Sequence, residues 1–217
     1  MSRSTDLIDY YSLRTDEYDK IYAKPERQDD LAALRSLARG MFAGHDVLEV
    51  ACGTGYWTQV ISESAGSILA TDINETVLAI ARGKTYSNSN VQFQIADART
   101  LADVGRNFTA GFAGFWWSHI PLASLPTALA AFHAKLLPGS PVVFLDNKYV
   151  EGNSTPVTRR DSDGNTYQKR KLGDGGEFEV LKNFPDESEL HRNVGKSAAN
   201  VTLIEFKYYW CLCYTLR

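Results

Sequence analysis

The sequence predicts an α/β protein built on a doubly wound, mostly parallel sheet. Short apolar runs alternate with amphipathic segments from about residue 25 to residue 149. Two glycines, Gly53 and Gly55, follow the first of these runs directly, and acidic residues stand at or near the ends of three successive runs: Glu49, Asp72 and Asp97. Strands that alternate with helices imply right-handed crossovers and a parallel sheet covered on both faces.

The elements follow in order. Leu31, Leu34 and Leu37 recur at near-helical spacing and predict a helix from Pro25 to Arg39, with Gly40 as its stop. Asp46 to Ala51 reads as the first strand, and a helix from Tyr56 to Ser64 follows the glycine turn. Ser67 to Ile73 is the second strand, after which Asn74 caps a helix carrying Val77, Leu78 and Ala81. Val91 to Ala96 is the third strand and Phe108 to Trp117 the fourth. Pro121 and Pro126 introduce a helix with Leu125, Leu129 and Phe132 on its stripe, and Pro138-Gly139 closes it before the fifth strand, Pro141 to Asp146.

Beyond Tyr149 the pattern changes. Asp163-Gly164-Asn165 and Asp174-Gly175-Gly176 punctuate two runs, Thr166 to Leu172 and Glu177 to Phe184, which predicts a β-hairpin inserted at about 157–184. That segment holds Arg159, Arg160, Lys169, Arg170, Lys171 and Lys182 against Asp161, Asp163, Asp174, Glu177 and Glu179, a near balance that reads as an exposed hairpin rather than a phosphate-binding patch. A short helix from Asp186 to Val194 precedes an aromatic tail, Val201 to Leu216. The tail is long enough for two strands, one of them expected to enter the sheet antiparallel.

Composition bounds the function. The 217 residues are 44% hydrophobic and carry 23 Lys and Arg against 26 Asp and Glu, a globular balance with net charge −3 that disfavours nucleic acid as a partner. No run approaches the roughly 18 apolar residues of a bilayer span, and no apolar leader opens the sequence, so a soluble, cytoplasmic protein is expected. Three cysteines, Cys52, Cys211 and Cys213, are too few for a disulfide framework, and Cys211 with Cys213 reads as a pair of small buried hydrophobes on one strand face; no metal site is expected.

Glycines after a buried strand let the chain turn tightly beside a ligand, while the next helix offers unpaired N–H groups. A dinucleotide site prefers a third glycine where this chain has Thr58, and Glu49 at its mouth repels pyrophosphate but attracts an ammonium or sulfonium. Asp72 stands 17 residues past Gly55, near the offset of about 20 at which a carboxylate reaches ribose hydroxyls. Asp97 is placed to accept a purine amine. Ammonium, ribose and adenine together describe S-adenosylmethionine (SAM).

The stretches Glu49-Val50-Ala51-Cys52-Gly53-Thr54-Gly55, Asp72-Ile73, Ala96-Asp97-Ala98 and Leu136-Leu137-Pro138-Gly139 resemble, in order and spacing, the motifs of class I SAM-dependent methyltransferases. The opening Tyr10 to Asp19 and the segment Trp116 to His119 are similar to a bacterial branch of small-molecule methyltransferases. The resemblance implies a seven-stranded mixed sheet and a single domain over 1–217, with 1–40 as an N-terminal helical lid. It implies that Glu49, Ala51, Gly53 and Gly55 hold the methionine part, Asp72 and Ile73 the ribose and adenine, and Asp97 and Ala98 the adenine edge. Tyr11, Tyr18 and Tyr22 are expected over the cofactor, and Trp116, Trp117 and Asn147 in the acceptor pocket. His119, just past the fourth strand, is the candidate base. A small-molecule acceptor is the leading expectation. A macromolecular acceptor, and SAM binding without catalysis, are the alternatives.

Overall fold

The computed structural model describes residues 19, 21–87, 90–105, 107–171 and 177–217. The five expected apolar runs form β1 (Asp46–Val50), β2 (Ser67–Asp72), β3 (Val91–Ile95), β4 (Ala110–Gly114) and β5 (Pro141–Asn147). An insert supplies β6 (Val157–Arg160), β7 (Thr166–Lys171) and β8 (Glu177–Leu181), and the tail supplies β9 (Ala198–Glu205) and β10 (Tyr209–Leu216). The main sheet has seven strands in the order β3-β2-β1-β4-β5-β10-β9. β1 to β5 run parallel, and β10 enters antiparallel to both of its neighbours.

Strand residues alternate between two apolar layers because successive side chains point to opposite faces. Val47, Phe112 and Leu145 face α1 (Gln28–Phe42) and α2 (Tyr56–Ser62), meeting Leu31, Leu34 and Ile61. Leu48, Val50 and Phe144 face the other way, toward Leu129 and Phe132 of α4 (Leu125–His133) and Leu190 of α5 (Glu187–Val194). Between these in the chain lies α3 (Glu75–Arg82), capped by the Asn74 side chain, which accepts the Thr76 N–H. α5 begins with a reciprocal capping box between Asp186 and Glu189. Sheet and helix layers approach closely at Gly111, where a Cβ would lie 2.6 Å from Phe132 and 2.7 Å from Leu136. Cys211 and Cys213 share one buried face of β10, with sulfurs 3.7 Å apart.

Several boundaries differ from expectation. Gly40 does not stop α1, which runs on to Phe42; burying Phe42 completely outweighs the roughly 1 kcal/mol that a glycine costs inside a helix. The fourth strand ends at Gly114, because Phe115 adopts φ +58° and Trp117–His119 forms a 3-10 turn. The expected hairpin is present as β7 and β8, and β6 adds a third antiparallel strand beside β7. This small sheet is tied to the main one: the Asn183 N–H donates to the Ser118 carbonyl at 2.8 Å, and the Leu122 N–H donates to Asn165 Oδ1 at 2.8 Å.

Candidate cofactor and acceptor cleft

The strand order reverses between β1 and β4, and ligands of open α/β sheets bind beyond the carboxyl ends of the strands at such a point. Glu49 and Ala51 reach this crevice from β1, Gly114 and Phe115 from β4, and Asn147 from β5; all five line a cavity of about 470 Å³. At its floor the glycine turn is held open by backbone shape. Ala51, Gly53 and Gly55 have φ of 53°, 56° and 80°, and a Cβ on Gly55 would meet the Tyr86 hydroxyl at 2.5 Å. Asp72 fixes the turn from β2, accepting the Gly53 N–H and the Asn74 N–H at 2.9 Å each, so its two oxygens are shared between the turn and the start of α3. Burial pushes the Asp72 pKa up despite these donors.

Glu49 is 1% exposed, and its Oε2 has no hydrogen-bond partner among the described residues. Burial raises its pKa to about 8; the nearby Thr58 hydroxyl pulls the other way, without a hydrogen bond of good geometry, and the Asp72 charge adds to the rise. Ile73, beside Asp72, is 41% exposed, an apolar side chain left uncovered at the strand end. Ala98 is buried, while Asp97 forms a bidentate pair with Arg99, with contacts at 2.6 and 3.0 Å. That pair holds the Asp97 carboxyl below its usual range, the Arg99 hydrogen bond being the main cause.

Of the N-terminal tyrosines, Tyr22 lies in the cleft wall, stacked on Tyr56 with ring centroids 3.6 Å apart. Tyr11 and Tyr18 lie outside the described residues. Asp19 ties the same segment to the turn, accepting the Thr54 hydroxyl at 2.7 Å and pairing with Lys84 at 2.6 Å.

His119 lines the cavity as expected, and its Nδ1 is 2.8 Å from the Leu181 carbonyl. A carbonyl only accepts, so Nδ1 carries the proton and the lone pair lies on Nε2. Burial, then the positive charges of Lys182 and Arg170, hold the His119 pKa well below 6.5.

Trp116 and Trp117, expected in the acceptor pocket, are both core residues. Trp116 stacks on Phe144, and Trp117 meets Phe144 and Trp210 edge-on. The positive φ at Phe115 turns the chain so that Phe115 faces the cleft and both indoles pack behind it.

Sequence reasoning missed the outer wall. The insert and the N-terminal turn bring Arg27, Lys169, Arg170 and Lys182 to the cavity. Arg27 donates to Asn153 Oδ1 at 2.9 Å and, at 3.4 Å, to Asn147 Oδ1 and the Tyr209 hydroxyl; its guanidinium also lies 5.2 Å from the Tyr208 ring centroid. The only available signal was the single-residue alternation of β7, which is not diagnostic of what a strand faces.

Fold and cleft together are similar to those of SAM-dependent methyltransferases, and residues 47–139 match the family model described as "Methyltransferase domain". Among curated proteins the chain is similar to the demethylmenaquinone methyltransferase of Staphylococcus epidermidis, 34% identical over 106 residues, which is 48% of this chain and 43% of that protein. The enzyme of the same name from Lactococcus lactis is 29% identical over 61% of this chain and 55% of its own. The match thus spans about half the length of these curated relatives. Likeness over nearly the whole chain is found with the solved structure described as "DhpI-SAM-HEP complex", at 27% identity and TM-score 0.76, covering 98% of this chain and 99% of that one. The structure described as "DhpI-SAH complex structure" agrees at 26% identity and TM-score 0.78. No helix among the described residues is long and apolar enough to cross a membrane.

Proposed function

We propose that this chain, as one unit over residues 1–217, binds SAM and transfers its methyl group to a small-molecule acceptor, leaving S-adenosylhomocysteine. The observation that carries the reading is the orphaned, buried Oε2 of Glu49 beside a left-handed glycine turn: a buried acceptor without a donor is costly, and an ammonium relieves it. The uncovered Ile73 fits the same ligand as a wall for adenine.

When bound, SAM supplies an electrophilic methyl on a sulfonium, displaced in line. The protein's part is alignment, exclusion of water and care of protons. Glu49 holds the amino group, ionising as it does so. Asp72 keeps the turn in register through Gly53 and has lone pairs left for ribose hydroxyls. Ala51, Gly53 and Gly55 admit the methionine part to the backbone. Asp97 and Ala98 edge the adenine, with Arg99 sharing the Asp97 carboxylate. Tyr22 closes the wall over the cofactor, and Asn147 and Phe115 face the acceptor. His119 presents Nε2 to an acceptor hydroxyl, its ring fixed by Leu181.

A cavity of about 470 Å³ roofed by the insert supports a small acceptor over nucleic acid. Calorimetry with S-adenosylhomocysteine and with NADH, followed by transfer of labelled methyl from SAM into metabolite extracts, tests the reading. Binding of NADH in place of the adenosyl compound would end it.

A further inference from the structure

The cleft wall opposite the cofactor turn is cationic in a protein that is acidic overall. Lys24, Arg27, Lys169, Arg170 and Lys182 line the cavity, against Glu49 as the one lining carboxylate among the described residues, while the chain as a whole carries net charge −3. The near balance of charge along 157–183 is not kept at the cavity, where no described Asp or Glu of that segment is a lining residue. Glu179 pairs with Arg159 at 2.6 Å, and Asp161 accepts from Asn165 and the Tyr167 hydroxyl at the turn before β7.

The cations that remain differ in what holds them. Lys182 is matched by Asp146 at 2.8 Å. Among the described residues Arg27 donates only to neutral oxygens, and its Nε is buried without a hydrogen-bond partner there. Lys169 is exposed and makes no ion pair with any described residue. Arg170 is set by a relay in which Gln168 donates to the Thr155 carbonyl at 2.5 Å and accepts from Arg170 Nη2 at 2.9 Å. Three elements distant in sequence thus converge positive charge on one cavity, and like charges brought together favour the entry of an anion. Guanidinium forks match carboxylate and phosphoryl oxygens in geometry as well as charge.

Resting on the methyltransferase reading and naming its acceptor class, we propose that the acceptor is a small molecule bearing an oxyanion, a carboxylate or phosphoryl-type group, seated among Arg27, Lys169 and Arg170. The neutral lining groups Asn147, Asn153 and Ser154 then take its remaining polar atoms.

The test uses the full chain and four probes: inorganic phosphate, acetate, glycerol and ethanolamine, titrated with and without S-adenosylhomocysteine. Phosphate or acetate should bind, the stronger of the two fixing the acceptor class, and glycerol and ethanolamine should not. Arg27→Gln and Arg170→Gln should each weaken the anion at least tenfold while S-adenosylhomocysteine affinity stays within threefold. Should either variant fail to fold, Lys169→Gln at an exposed position should still weaken it at least threefold. Binding of glycerol as tight as phosphate, or anion affinity unmoved in the folded variants, overturns the proposal. Loss of S-adenosylhomocysteine binding by the unaltered protein instead overturns the methyltransferase reading, and the cofactor-free titration still decides the anion site.

Discussion

The ammonium of Lys182, in the segment after β8, lies 2.8 Å from the Asp146 carboxylate at the end of β5, and both side chains are buried. The same ammonium donates to the Ser118 hydroxyl at 2.6 Å, while Asp146 accepts the Ser118 and Asn147 N–H groups. Burial opposes charge on both partners; it brings the lysine pKa down, whereas for Asp146 the Lys182 charge and hydrogen bond, the His119 ring and the Ser118 N–H together outweigh it and leave that carboxyl below its usual value. One ion pair therefore joins the small sheet to the large one at the edge of the cleft.

Lys182→Met strands the Asp146 charge in the interior, and unfolding in urea should show a loss of about 3–5 kcal/mol. Lys182→Met combined with Asp146→Asn should recover most of it. A single variant within 1 kcal/mol of the parent would mean that water reaches the pair.

Glu49 gives the ligand-free protein a pH signature. Its folded pKa of about 8 lies above the ordinary value of 4.5, so the folded state binds the extra proton; stability is intact below pH 4.5 and is lost as pH rises toward 8. The shift corresponds to something on the order of 5 kcal/mol. Glu49→Gln should therefore melt higher than the parent at pH 9 and alike at pH 4, while binding S-adenosylhomocysteine at least tenfold more weakly. Equal melting temperatures at pH 9 would show that ionising Glu49 costs the fold nothing, and that its pKa is not raised.

At the turn, Gly55→Ala meets both φ +80° and the Tyr86 hydroxyl, and should cost about 1–3 kcal/mol of stability. Asp72→Ala frees the Gly53 and Asn74 N–H groups, and cofactor affinity should fall by about 1–3 kcal/mol with the fold retained. Calorimetry reads both, and unchanged affinity in Asp72→Ala would move the ribose contact elsewhere.

His119 stays neutral across the working range, because its pKa is lowered by burial and by Lys182 and Arg170. The maximal rate should be flat from pH 8 to below pH 6 and fall only as acid protonates the ring. With an acceptor in hand, His119→Ala should lower that rate at least tenfold with SAM affinity within threefold, since a group acting on the acceptor is felt in the transition state. Joint loss of binding and rate would make the imidazole a cofactor contact.

The cofactor half of the cleft was legible because local rules govern it. Strand, glycine turn and cap are neighbours in sequence, so Glu49, Gly53, Gly55 and Asn74 announce their positions. The acceptor half is not local. Whether Arg170 meets solvent or cavity depends on how β7 docks, and a charge count along 157–183 cannot show that Glu179 pairs with Arg159 while Lys169 is left for the cleft. The two tryptophans misled for a similar reason: a single backbone angle at Phe115 decides which ring faces the crevice. The short strand β6 carried no signal, since its burial is slight on both faces.

The position of β10 orders events during synthesis. It follows every other described element in the chain, yet it lies inside the sheet, between β5 and β9. Until the ribosome has released it, β5 presents an unpaired edge, the kind of surface that invites association between nascent chains. Its first residue, Tyr209, also sets its ring against Phe115 and its hydroxyl against Arg27. A growing chain can thus shape the glycine turn long before it can assemble the wall facing it, and stalled chains ending before Tyr209 should hold the adenosyl ligand, if at all, with an open and unselective mouth.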